Sequence, residues 1–128
     1  MKILTTVSIF TGLLLLAGCA GNFNKLTSEE VEQGWELLFD GKSLDQWRLY
    51  NSEGTGSWGV EDECLTADGT GSDSTGYIIS KKEYASFDLK FDWKIAPEGN
   101  SGVMYHVVES NRFHTPYLTG PEYQLIDD

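Results

Sequence analysis

The sequence is poor in histidine, proline, cysteine and positive charge. Its 128 residues hold two His, three Pro, two Cys and nine Lys or Arg against 20 Asp or Glu. Two cysteines allow one disulfide at most, and if Cys19 is modified as its context suggests, Cys64 is a single thiol, so the fold then has to rest on a packed core. A net charge of −11 leaves no Lys/Arg clusters for phosphate backbones, and no nucleic-acid partner is expected. The same balance excludes electrostatic docking on anionic lipid. No Gly-rich phosphate loop leads into a helix, no Cys/His set has zinc spacing, and Gly-x-Ser-x-Gly is missing. These absences call for no cofactor and leave a divalent metal open. Internal repeats are missing too, and the length has room for one domain at most.

One long apolar run is present, at the front. Ile3 to Leu16 follows the charge of Lys2 and closes at Leu16-Ala17-Gly18-Cys19. It is short for a transmembrane helix of about 20 residues and reads as a secretory leader. Its end resembles the bacterial lipobox, in which the cysteine is diacylated and becomes the new N-terminus. The expectation is a signal peptide over residues 1–18 and a lipidated tether with a short helix over 19–33. Cys19 is then the anchor of a cell-envelope lipoprotein facing the periplasm or the cell surface, with membrane contact through the lipid alone.

Within 19–33, Thr27 followed three residues later by Glu30 makes a capping box, Leu26 and Val31 make a staple, and Gly34 is a stop. From Trp35 the texture is all-β. Short apolar runs begin at Trp35, Trp47, Trp58, Cys64, Tyr77 and Tyr123, separated by Gly, Asp and Asn. Asp68 to Gly76 reads as an exposed loop. From Phe87 to Ile95 every odd position is apolar and every even one charged, which is a strand with one core face. That pattern places Trp93 in the core and Asp88, Lys90, Asp92 and Lys94 in water. A turn at Ala96 to Asn100 and a second run, Ser101 to Val108, predict a long hairpin. The last residues look like a strand entering a sheet, so the expectation is a sandwich domain incomplete at its C-terminus.

Candidate chemistry lies on the last two runs. Alternation puts His106 on a face with Met104 and Val108, and Glu122 with Gln124; Asp127 joins them only through a bulge. The Glu-x-Gln-x-x-Asp spacing is reminiscent of the Glu-x-Asp-x-x-Glu strand of jelly-roll glucanases, with an amide in the middle. Asn100-Ser101-Gly102 is compatible with a plain turn.

Larger blocks resemble the bacterial 3-keto-disaccharide hydrolase domains, whose fold is that of concanavalin-type lectins and glucanases. They are Gly34-Trp35-Glu36-Leu37-Leu38-Phe39-Asp40-Gly41-Lys42, Trp58-Gly59-Val60-Glu61-Asp62, Gly99-Asn100-Ser101-Gly102-Val103-Met104-Tyr105 and Gly120-Pro121-Glu122-Tyr123-Gln124-Leu125-Ile126-Asp127. Glu63 stands where the family has a turn Gly. The resemblance covers residues 34–128 and implies a concanavalin-like jelly-roll sandwich acting on an oligosaccharide or glycoside substrate oxidised at C3. It implies Glu122 as the base, His106 or Asp127 as its proton-handling partner, and Asn100, Tyr105 and Gln124 as substrate-binding residues. Two other readings stay open. One is a non-catalytic carbohydrate-binding module, and the other a retaining glycosidase using Glu122 and Asp127, which must then lie about 5–5.5 Å apart.

Overall fold

In the computed structural model, residues 2–6, 23–67 and 76–127 are described, the first five by backbone alone. The elements in chain order are β1 (Lys2–Thr6), α1 (Ser28–Glu32), β2 (Trp35–Leu37), β3 (Trp47–Leu49), β4 (Trp58–Glu61) and β5 (Cys64–Ala67). They continue with β6 (Ile78–Ser80), β7 (Asp88–Asp92), β8 (Asn100–Met104), a 3-10 turn (Pro116–Leu118) and β9 (Glu122–Ile126). The all-β reading holds, and no described helix is long and apolar enough to cross a membrane. Cys19 and the loop from Asp68 to Thr75 lie outside the described residues.

The described residues group into two units. The first holds α1, β1, β2, β7 and the turn of the β4–β5 hairpin. Thr27 caps α1 through Oγ1, which accepts the Glu30 N–H at 3.2 Å, while the Glu30 carboxylate takes the Thr27 N–H at 2.9 Å. The carboxyl of Glu30 is held below its usual range by that backbone bond first. Val31 stays largely exposed, so the expected staple covers little. Gly34, at φ +78, ends the helix in the left-handed conformation that costs glycine least. β2 then buries Trp35, and the chain beyond it buries Leu38 and Phe39; Cys64 and Leu65 of β5 complete this core. The Lys90 ammonium lies 4.0 Å from the centre of the Trp35 ring, a cation–π contact from the charged face of β7.

The turn joining β4 and β5 has two residues, Asp62 and Glu63, both at positive φ. That is the geometry of a type I′ hairpin, and Glu63 takes a conformation that favours glycine. Asn24, buried, donates to the Glu63 carbonyl at 2.7 Å. The Asp40 carboxylate accepts the N–H groups of Lys42 and Ser43 at 2.8 and 2.9 Å. The Asp40-Gly41-Lys42 block is thus a turn closed by the Asp40 carboxylate.

β1 pairs parallel with β2 on one side and β7 on the other. Lys2–Thr6, the front of the leader-like run, therefore forms the middle strand of this sheet, which the sequence pattern did not suggest.

The second unit holds β3 paired with β6 and β8 paired with β9, both antiparallel, with Tyr50 and Leu125 buried. The long hairpin from Ser86 to Val108 does not form. β7 pairs with β1, whereas β8 pairs with β9. The reason lies in the connection. Ala96 to Gly99 closes a turn, Gly99 N–H to Ala96 O at 2.8 Å, and the end of β9 takes it over. Asp127 Oδ2 accepts the Glu98 N–H at 3.0 Å, and Gly99 O accepts the Asp127 N–H at 3.4 Å. The odd residues of β7 are half-buried and its even ones exposed, as the alternation predicts. Trp93 is the exception, 45% exposed, because β7 ends at Asp92 and the alternation no longer binds.

Candidate active site

All the candidate residues from Asn100 onward fall in the second unit. The β8–β9 register sets Met104 opposite Glu122, Gly102 opposite Gln124 and Asn100 opposite Ile126. Directly opposed residues share a face, so Glu122, Gln124 and Asn100 stand together, all exposed. The Asn-Ser-Gly block is consequently strand and not turn. Val103, Ser101, Tyr123 and Leu125 take the other face, where Leu125 is buried.

Gly102 shapes the exposed face. A Cβ built there would overlap the Glu122 side chain from Cγ to Oε1. The carboxylate lies in space that a glycine alone leaves free, and the Gly inside a strand marks that close approach. Beside it, Gln124 Nε2 donates to Asn100 Oδ1 and, at 3.0 Å, to the Ser101 carbonyl. This fixes both amides and leaves Gln124 Oε1 and Asn100 Nδ2, an acceptor and a donor, for a ligand. The row therefore offers one carboxylate, one acceptor and one donor.

Asp127 is not in that row. β9 pairs residue for residue from Glu122 to Ile126, with no bulge to turn Asp127 back. Its carboxylate holds the Glu98 N–H, and Glu98 itself sits at φ +61.

His106 does not extend β8 either. The ladder stops where Tyr105 donates to the Pro121 carbonyl at 3.1 Å, because proline has no N–H to return. His106 then turns left-handed, at φ +54, so it shares no strand face with Met104 and Val108. Its exposed ring meets that of Tyr105 edge-on at 5.5 Å. Among the described residues no three of His, Cys, Asp and Glu gather as a metal site.

A polar cluster that the sequence did not reveal ties the β8–β9 connection to the end of β3. Arg48 binds both oxygens of Glu109 at 2.5 Å, and Glu109 Oε1 also accepts the Asn51 N–H at 2.7 Å. Asn51 Nδ2 reaches the Ser110 and Phe113 carbonyls at 3.1 and 2.8 Å, and the Tyr50 hydroxyl donates to Val108 O at 3.2 Å. Arg48 and Glu109 are 61 residues apart, and no local motif announces the pair.

The Arg48 guanidinium holds the Glu109 carboxyl below its usual value near 4.5, with the Asn51 amide adding to the effect and burial opposing it. A carboxyl whose folded value is lowered binds fewer protons than in the unfolded chain. Its contribution is present above about pH 4.5 and is lost as pH falls through the folded value. Glu109→Gln should therefore lower stability near neutral pH by roughly 1 kcal/mol, a figure discounted for partial exposure. It should also flatten the acid limb, which denaturant melts between pH 7 and 3 would measure.

Residues 34–128 match the family described as the 3-keto-alpha-glucoside-1,2-lyase-like domain. A curated relative, the 3-keto-disaccharide hydrolase of Bacteroides thetaiotaomicron, is 32% identical over 109 residues, covering 74% of this chain and 38% of that protein. A crystal structure from Parabacteroides distasonis, provisionally described as a glycosyl hydrolase, is similar with a TM-score of 0.68 and 39% identity. It covers 82% of this chain and 46% of the other. The chain thus belongs to the 3-keto-alpha-glucoside-1,2-lyase-like family, and the likeness to the solved hydrolase supports the sandwich fold expected from the sequence. It spans less than half the length of either relative.

Proposed function

We propose that this protein cleaves the glycosidic bond of 3-keto-glycosides by elimination and rehydration. A ketone at C3 acidifies the proton on C2. Glu122 removes that proton, the electron pair is held as an enolate at the C3 oxygen, and its collapse breaks the C1–O bond and expels the aglycone. Water then adds at C1 of the enone while a proton returns to C2, giving the 3-keto sugar. The observation that carries this reading is the Glu122 carboxylate seated over Gly102 on an exposed face whose other polar groups are amides. One base and neutral partners suit proton abstraction. Asn100 Nδ2 is the natural donor to the C3 oxygen, Gln124 Oε1 binds a sugar hydroxyl, and His106 protonates the leaving group.

A retaining glycosidase needs a second carboxylate beside the first. Asp127 is engaged at the Glu98 turn, which favours a positioning role for it over that chemistry. The full-length protein should turn over 3-keto-glucosides and leave the unoxidised glucosides intact. Equal or reversed preference would overturn the reading, and a protein that binds sugars but cleaves none would be a binding module.

The protein is further proposed to be a lipoprotein anchored through Cys19. Processing there takes Lys2–Thr6 out of the sheet, so β2 and β7 need another neighbour in the anchored form. Mass spectrometry of membrane fractions should find a mature chain that starts at diacylated Cys19. An intact Met1 terminus would refute this.

A further inference from the structure

We propose that Arg48 and Glu109, with Tyr50, Asn51 and Thr119, clamp the backbone around His106 and so position its ring for proton transfer. The proposal rests on the function assigned above and adds the residues that act through His106.

His106 is a non-glycine residue at φ +54, a conformation that persists where the surroundings fix it from both sides. Both sides are fixed here. Upstream, the Tyr105 N–H is bound to Pro121 O, and the Tyr105 carbonyl packs on Gly120, where an added Cβ would come within 2.5 Å of it. Downstream, the Val108 N–H donates to Thr119 Oγ1 at 3.0 Å, and Val108 O accepts from Tyr50 at 3.2 Å. One residue further on, Glu109 takes both arms of Arg48 and the Asn51 amide, and Asn51 holds the next carbonyl, that of Ser110. Between these anchors His106 contributes no hydrogen bond of its own among the described residues, only the ring contact with Tyr105. A connection that needed only closing could place glycine at the left-handed position. Here an imidazole occupies it, exposed and otherwise unengaged, in a segment held at Tyr105 before it and at Val108, Glu109 and Ser110 after it. Strain of this kind, retained beside an exposed proton carrier, is expected where orientation matters.

Three variants of the full-length protein, assayed on a 3-keto-glucoside, test the clamp. Glu109→Gln should lower kcat ~10-fold with KM within about twofold, since a misaimed proton donor costs rate and not ground-state binding. The charge-swapped pair Arg48→Glu with Glu109→Arg should recover part of that loss. His106→Gly should melt at a higher temperature than the parent yet turn over more slowly. In the Glu109→Gln variant, the His106 ring resonances should move toward averaged, solvent-like positions. Unchanged kcat in Glu109→Gln, or a loss no larger than its loss of folded protein, would overturn the proposal. So would His106 resonances identical to the parent's. If the parent itself cleaves no 3-keto-glucoside, the assigned function fails. The ring resonances then still decide whether Arg48 and Glu109 hold His106.

Discussion

Replacing Glu122 by Gln is expected to lower kcat on a 3-keto-glucoside by ~10²–10⁴ while sugar binding persists. The amide keeps the shape of the side chain over Gly102 and the neighbouring Gln124–Asn100 bond, but it cannot accept the C2 proton. Glu122 is exposed and outside the buried set, so the fold should tolerate the change within about 0.5 kcal/mol. Steady-state kinetics with a parallel binding assay separate the outcomes. A rate within about threefold of the parent would remove Glu122 from the base role.

Gly102→Ala is expected to be nearly as damaging, by a different route. The added methyl would occupy the space of Glu122 Cγ, Cδ and Oε1, and the flexible glutamate can swing away where backbone could not. Stability should change little, since alanine suits a strand better than glycine does. The carboxylate, though, leaves the amide row by more than an ångström, and displacement on that scale costs ~10²-fold. The signature is loss of turnover in a protein that melts like the parent. Full activity in Gly102→Ala would mean that the seat over Gly102 is irrelevant to chemistry. A collapse in melting temperature would mean that the glycine serves the fold.

The two substitutions also show what could be read from the sequence. Local features were legible. Thr27 and Glu30 cap α1 as their spacing implies, and the strands start at Trp35, Trp47, Trp58 and Cys64 because turn residues bound them. The alternation of Glu122 and Gln124 on one face was equally local. Pairing was not, because period-2 patterning identifies a strand without naming its neighbour. Phe87 to Ile95 looked like one arm of a hairpin, yet β8 found β9, across a connection containing Pro116 and Pro121. The alternation places Trp93 in the core only if it continues beyond Asp92, where the strand stops. His106 failed for the same reason, since a left-handed residue resets the direction of every side chain after it. The Arg48–Glu109 pair left no signal at all, being a contact between residues that no motif joins. The Asn-Ser-Gly and Pro-Glu-Tyr-Gln blocks, distant in sequence, lie on the two strands of one ladder.

The central claim is that a proton leaves C2 before the glycosidic bond breaks, and it is tested most directly by turnover in heavy water. Cleavage of a 3-keto-glucoside by the full-length protein in D2O should give a 3-keto sugar carrying deuterium at C2. Incorporation should exceed that in the same sugar incubated without enzyme, because rehydration of the enone draws its proton from solvent. Product with no deuterium at C2 above that background would contradict the account and point to direct displacement at C1.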